Sequence, residues 1–544
     1  MRPRILMVNE SSVLNTGYSV YGREVLSRLH DTNKYEVAEL ATYIKKDDKR
    51  LQDVPWKVYT NLPDKKDEQE YSSNVTNQFG AWKFEEVCLD FKPHIVFNIQ
   101  DPWMFSYIQN SPYRKNFNFA IMPTVDSEPQ SEQWLELFKQ ADGVFTYTEW
   151  SKNVLKKQSN SKINVIGTAT PSVSKDFFAM SRTDRENLKQ NMGFSGKNII
   201  GTVMRNQKRK LFPVLFKCFS NFIEKNNDRK TVLYCHTSFP DMGWDIPRLL
   251  LYYGITSRVY FTYKCRECEN IYPSLFRDAV DYCPKCLNKT ATLCSVQHGA
   301  DNRVFNLIYN LFDIYVQMSN SEGLGIPQLE AAACGVPLMS VDYSAMTSVL
   351  DIVDGYRIPN NLNMEVESGA FRASPDENSV IDIWEKFFSL STDEKEKKRE
   401  KTRSNFINNL NAHEDGWMYT TNQWIKYFDS VDINKYEEAW KSKPDIQYPS
   451  INVPVNLDNA SFVRWLITDV LCDPSKLNSY FESRMIRDLN YGCVTGTVGN
   501  DYYTENSITS LEHNKIPFNR EIAYSHMCYL REKINNWEYL RTKK

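Results

Sequence analysis

The sequence predicts two successive doubly wound α/β units framing a cleft, each a mostly parallel sheet covered by helices on both faces. Three observations lead there. Apolar runs of strand length alternate with amphipathic stretches over residues 1–170, the alternation restarts near residue 198, and it stops beyond residue 431. With 544 residues the chain is also too long for a single hydrophobic core.

In the first set, strands are predicted over 5–9, 36–42, 95–99, 119–124, 144–148 and 165–168, with helical patterns such as 21–29 and 132–141 between them. The second set covers 198–204, 231–236, 259–263, 314–318 and 338–342. Sheets of this kind bind ligands outside the carboxyl ends of their strands. The expected organisation is therefore a first α/β domain over 1–170 and a second, ligand-holding α/β domain over 171–431. An insert over 264–299 interrupts the second domain, and an aromatic-rich, polar extension over 432–544 follows it as a small helical appendage. The charge run at 393–401, DEKEKKREK, reads as the solvated face of a helix.

Composition narrows the function classes. A hydrophobic fraction of 41% with 25% charged residues is that of a globular protein. The net charge of −2 supplies no global field towards nucleic acid or acidic membranes, so any polyanion site has to be a local patch. No apolar run is long enough to span a bilayer. The opening run 5–8 is ended by Asn9 and Glu10, too soon for a signal peptide, and reads as a buried strand. Twelve cysteines, mostly scattered, suit reduced thiols and a cytoplasmic setting.

The most informative stretch is SEGLGIPQLEAAACGVP, residues 321–337. Physically it is a glycine loop after a strand, a short helix, a stop at Gly335 and Pro337, and a return to strand. Pro327 suits a first helical turn, where its missing N–H costs nothing. The free N–H groups and positive dipole end there can hold a diphosphate or sugar hydroxyls. Gly323 and Gly325 let backbone approach a ligand closely. Glu330, about one turn in, leans back towards the helix start and can accept a ribose diol, while Glu322 in the loop can face a sugar. A connecting glycine loop with a solvated Glu330 would explain a bare GxG, but not the paired glutamates with their flanking residues.

That stretch resembles the signature of the family-4 retaining glycosyltransferases of the GT-B fold. Leu324, Ile326 and Ala332 stand where the usual signature has Phe, Leu and Met. The resemblance implies a nucleotide-diphosphate sugar as donor, bound by Glu322, Gly323, Leu324, Gly325 and Glu330. It extends to the segment 201–210, whose Arg205 and Lys210 would grip the donor diphosphate and neutralise charge as it leaves. A basic surface loop would read similarly, with Lys208 and Arg209 as further cations. The turn around Gly17 resembles the loop facing the donor. Asp126, just past a strand end, falls where relatives place an acceptor-side acid, and could orient the acceptor hydroxyl or take its proton. A helix-capping Asp would look identical. The linker 166–178 and the helix pattern over 416–428 also match the family. The linker lacks the usual NGVD, so no role passes to its residues. By the same resemblance, the retaining transfer needs no carboxylate pair at fixed spacing, unlike a retaining glycosidase. Positioning, electrostatics and closure would supply the catalysis.

Cys265, Cys268, Cys283 and Cys286 form two CxxC pairs with zinc-ribbon spacing, which predicts a closed, structural zinc site. Two reduced or disulfide-bonded pairs are the alternative. Lys264, Arg266, Lys285 and Lys289 make the insert locally basic. Together with TGYSVYGREVL and PTVDSEPQ, the insert resembles virus- or phage-encoded members of the family. That resemblance implies a modified base in DNA, 5-hydroxymethylcytosine, as an acceptor, with the host cytoplasm as the setting. A glycan or lipid acceptor, a non-catalytic reader of sugar nucleotides or nucleic acid, and an epimerase of the same fold remain the alternatives.

Overall fold

The computed structural model describes residues 2–111, 113–295, 298–413, 415–441, 461 and 465. Most of the predicted extension over 432–544 therefore lies outside the described residues. Two Rossmann-like α/β sheets account for nearly all the strands, and a two-stranded ribbon completes them. By contacts the chain divides into two compact units. One takes Met1–Ser12, His30–Ala120 and the chain from Ser430, and the other takes Val13–Leu29 and Ile121–Asp429.

In the first unit β1 (Arg4–Glu10), β2 (Glu36–Thr42), β3 (Lys57–Thr60), β4 (Ile95–Asn98) and β5 (Asn118–Ile121) run in the order β3-β2-β1-β4-β5. β1 is parallel to both neighbours, with Ile5 opposite Val37 and Ile95. Its residues Ile5, Leu6, Met7 and Val8 are fully buried, as expected of a strand covered on both faces. The helix Ala81–Phe91 buries Phe84, Val87, Cys88 and Phe91, the i, i+3, i+4, i+7 stripe of a core-facing helix. The helix Ile433–Lys441, at the start of the extension, is tied down by polar contacts. Glu437 accepts from Arg4 at 2.7 Å and meets His94 Nε2 at 2.9 Å, and Trp440 Nε1 donates to Pro93 O at 2.8 Å.

The second unit pairs β6 (Gly143–Thr146) with β7 (Val165–Thr168) in parallel and holds the whole of the second sheet. That sheet contains β8 (Asn198–Val203), β9 (Thr231–His236), β10 (Val259–Cys265), β11 (Ile271–Leu275), β12 (Val280–Asp281), β13 (Ala291–Leu293), β14 (Ile314–Gln317), β15 (Leu338–Val341) and β16 (Tyr356–Ile358). Their order is β12-β13-β10-β9-β8-β14-β15-β16, with β11 also on β10. β8, β9, β14, β15 and β16 run parallel, whereas β11 and β13 pair antiparallel with β10. The insert over 264–299 thus extends the sheet, because β10 runs on to Cys265 and offers its backbone to both new strands. β17 (Asn360–Met364) and β18 (Phe371–Pro375) form an antiparallel ribbon. The helix Gly416–Phe428 buries Trp417, Trp424 and Phe428, and Trp424 Nε1 donates to the Tyr21 hydroxyl at 2.8 Å.

β3, β16 and the β17–β18 ribbon are absent from the sequence expectation. They are short or carry exposed polar residues, so no apolar run marks them. The charge run needs a correction too. It begins a helix, Thr392–Asn409, but Arg399 and Thr402 are buried, so this is not a uniformly solvated face.

Candidate functional site

Every predicted site residue lies in the second unit. Its centre is Glu322, whose side chain is only 4% exposed. Lys210 Nζ is paired with Oε1, and Arg209 reaches Oε2 at 2.5 Å. Gln317 Nε2 at 2.7 Å and Ser319 Oγ at 2.8 Å also donate to Oε1. Backbone pairing builds this cluster. Lys210 bridges Ser319 antiparallel, Leu211 N donates to Met318 O, and Asn320 N donates to Arg209 O, so the loop after β8 lies alongside the end of β14. Burial pushes the Glu322 carboxyl up, but Arg209 and then Lys210 outweigh it and hold it at about 2. Burial brings the Lys210 ammonium down to about 8 despite Glu322, with the Arg209 charge adding to the fall.

The predicted helix start is present as Ile326–Ala333, with Gly325 at its N-cap. Gly325 has φ +81°, a left-handed conformation that glycine adopts without penalty. At Gly323 a Cβ would come within 2.4 Å of Thr124 Cγ2, so close approach requires glycine here. Thr124 Oγ1 in turn meets the Tyr18 hydroxyl at 2.8 Å. A Cβ at Gly17 would sit 3.6 Å from Ile326 Cδ1. Gly17, Gly323 and the helix start are therefore neighbours, and Leu324 is buried beneath them.

Glu330 is half-buried and already engaged. Tyr309 donates its hydroxyl to Oε2 at 2.6 Å. Burial pushes the Glu330 carboxyl up to about 7, with the Tyr309 hydrogen bond opposing. The other end of this helix is held from the charge-run helix. Arg403 donates to Ala333 O at 2.5 Å, and Arg399 donates to Cys334 O at 3.2 Å and to Phe312 O at 2.8 Å. Guanidinium groups on C-terminal carbonyls satisfy orphan acceptors and complement the dipole.

Arg205 does not share the Glu322 cluster. Its guanidinium makes a two-point contact with Asp241 at 3.0 and 3.1 Å and is 46% exposed. Arg209, which sequence reasoning left among the neighbouring cations, is the second cation on Glu322. Only the antiparallel bridge at Lys210 decides this, and nothing in the local residue pattern announces it.

Asp126 bonds Ser127 Oγ at 2.9 Å, Ser321 Oγ at 3.2 Å and Arg372 at 3.1 Å. Arg372, on β18, also donates to Ser321 Oγ at 2.8 Å and to Glu365 at 3.0 Å. Nothing in the local residue pattern marks Arg372, because its ribbon carries no apolar run. Asp126 and the Glu322 loop thus meet through Ser321.

The four paired cysteines cluster, with all Sγ atoms within 4.8 Å of one another. Cys265 and Cys286 are 3.6 Å apart, as are Cys268 and Cys283, too far for a disulfide and close to the ~3.8 Å edge of a zinc–thiolate tetrahedron. The two knuckles repeat one backbone design. Cys265 N donates to Asn270 O and Cys283 N to Asn288 O, each at 2.9 Å, and Glu269 and Leu287 both have positive φ. Amides of Glu267 and Cys268 point at Cys265 Sγ, and that of Lys285 points at Cys283 Sγ. With the Thr290 hydroxyl contributing most, these donors pull the Cys265 thiol down to about 6. Four soft donors with N–H groups aimed at sulfur fit a thiolate-bound metal.

Comparison with solved structures places this architecture. Sucrose-phosphate synthase of Thermosynechococcus elongatus superimposes with a TM-score of 0.55 at 15% identity, covering 79% of this chain and 100% of that one. HepE of Anabaena, solved with UDP and glucose, gives 0.55 at 12% identity over the same shares. A glycosyltransferase of Rickettsia africae gives 0.53 at 15% identity, over 81% of this chain and 99% of that one. The fold is GT-B. Residues 296–370 of this GT-B chain match the family described as glycosyl transferases group 1, a stretch that includes Glu322, Gly325 and Glu330. None of the curated proteins matches the chain. Among the described residues of this GT-B protein, no helix is long and apolar enough to cross a membrane.

Proposed function

We propose that this chain is a retaining glycosyltransferase that moves a sugar from a nucleotide-diphosphate sugar to a hydroxyl of a carbohydrate acceptor. The observation that carries this reading is Glu322, buried and ionised between Lys210 and Arg209 at the mouth of a helix N-terminus. A carboxylate held that way can orient sugar hydroxyls, while the cations stand ready for a leaving diphosphate. The bond from the anomeric carbon to the phosphate oxygen breaks as the acceptor oxygen bonds to that carbon. The acceptor proton passes to the departing diphosphate on the same face. Lys210 and the helix start stabilise that diphosphate, with Arg205 joining once it leaves Asp241. Glu330 takes the ribose diol, and Asp126, held by Arg372, orients the acceptor. The division into an acceptor-side domain over 1–170 and a donor domain over 171–431 belongs to the same proposal, as does a structural zinc ion at the four thiols.

A carbohydrate acceptor is favoured over hydroxymethylated DNA by two observations. A fold neighbour is named for a sugar-phosphate product. Two of the insert's basic side chains are also paired with carboxylates, Lys264 with Glu269 at 2.6 Å and Lys289 with Asp278 at 3.9 Å. The test is mass spectrometry of products from the purified protein with a panel of nucleotide sugars, sugar and sugar-phosphate acceptors, and hydroxymethylated DNA. Transfer to a sugar hydroxyl with retained anomeric configuration, lost in Glu322→Ala, is the expected result. Inverted product, or glucosylated DNA alone, overturns it.

A further inference from the structure

The cysteine cluster sits beside the element that holds Glu330. Cys265 ends β10, and the preceding residue, Lys264, donates its ammonium to Gly299 O at 2.9 Å. Cys294 N donates to Thr262 O of the same strand at 3.1 Å. Just after Gly299 the helix Asn302–Leu311 begins, capped by Asp301. Val304, Leu307, Ile308 and Leu311 of that helix line a cavity of about 320 Å³ that is also lined by Cys268, Glu269 and Lys285 of the knuckles. Tyr309 of the helix donates to Glu330. Chain connectivity and two hydrogen bonds, Lys264 to Gly299 O and Tyr309 to Glu330, therefore link the thiol cluster through this helix to the Glu330 carboxylate.

We infer that one zinc ion bound by Cys265, Cys268, Cys283 and Cys286 is a clasp for the helix Asn302–Leu311, so that metal occupancy sets the order of that helix and the placement of Glu330. The inference rests on the donor-site reading for its functional consequence. Without metal, four thiols packed this closely have no covalent reason to stay together, and the strands β11 to β13 are too short to hold the insert unaided. Loss of the knuckle frees the end of β10, and with it the Lys264 anchor. The helix start then frays, and Tyr309 no longer fixes Glu330.

The test uses the full-length protein as purified, after stripping with a chelator, and after reconstitution with Zn²⁺ or Co²⁺. One metal per chain and the thiolate-to-cobalt charge-transfer bands of a tetrahedral four-sulfur site are expected, and both should be lost in Cys283→Ser. Hydrogen exchange of peptides covering 302–311 should accelerate about tenfold on stripping, while β1 and β2 are unchanged. The variant Lys264→Met, which keeps all four thiols, should show the same acceleration with the metal still bound. Affinity for a nucleotide sugar should fall about tenfold on stripping. Absent cobalt–thiolate bands, or exchange at 302–311 indifferent to both metal and Lys264, overturn the inference. Exchange that follows the metal in a protein that binds no nucleotide sugar overturns the donor reading instead and leaves the clasp standing.

Discussion

Arg209 and Lys210, adjacent in sequence, grip opposite oxygens of the same buried carboxylate, Glu322. Adjacent residues usually point to different sides. Here the turn into the bridge with Ser319 lets both reach one acceptor, and the pair leaves Glu322 no protonated form near neutral pH.

The two cations should therefore differ in what they contribute to stability while both serve catalysis. Lys210→Ala leaves a buried carboxylate with one partner fewer and should cost about 3 kcal/mol in denaturant unfolding. It should also lower kcat by roughly two orders of magnitude. Arg209→Ala, at a 40% exposed side chain, should cost under about 1 kcal/mol yet still lower kcat/KM. Equal losses of stability in the two variants would contradict this account.

Glu330 carries a pH signature. Its folded carboxyl titrates at about 7, above the ordinary carboxylate value, so its contribution to stability is full in acid and is lost as pH rises through about 7. The ionised form is the one that accepts a diol. Donor affinity should therefore rise between pH 6 and 8 (about one unit either side of the folded value), while unfolding free energy falls from about pH 4.5 to about 7 and levels off above it. Glu330→Gln should flatten both profiles, as measured by calorimetric titration and urea unfolding across that range.

Gly323→Ala drives a methyl group into Thr124 Cγ2 and should destabilise the protein by about 1–3 kcal/mol. Thr124→Ser removes that methyl and keeps the oxygen that meets Tyr18. The double variant should recover most of the loss, and a double-mutant cycle by chemical denaturation reads the coupling directly. Additive losses would place the two groups apart.

Arg399→Ala strips Phe312 O and Cys334 O of a buried donor. A fall in stability of about 2 kcal/mol is expected, with a drop in Tm by differential scanning calorimetry. Lys397→Ala in the same run serves as the control and should leave Tm unchanged.

Much of this was legible in the residues. Strands such as Glu36–Thr42 and Thr231–His236 coincide with their predicted ranges, because parallel strands buried on both faces read as largely apolar runs. The helix at Ile326 was marked by Gly325, Pro327 and Gly335, residues whose backbone limits act locally. The two CxxC knuckles were equally visible, since their spacing is itself the geometry.

What the sequence determined alone was therefore what depends on near neighbours: periodicity, helix boundaries, the glycine loop and the paired thiols. Only the tertiary structure decided that Arg209 joins Lys210 on Glu322 while Arg205 turns to Asp241, that Arg372 arrives at Asp126 from an unforeseen ribbon, and that Arg399 leaves a charged run to hold a helix end. Each of those is a long-range pairing of flexible charged side chains. Their partners are fixed by where strands and loops come to lie, and no local pattern of residue types encodes that.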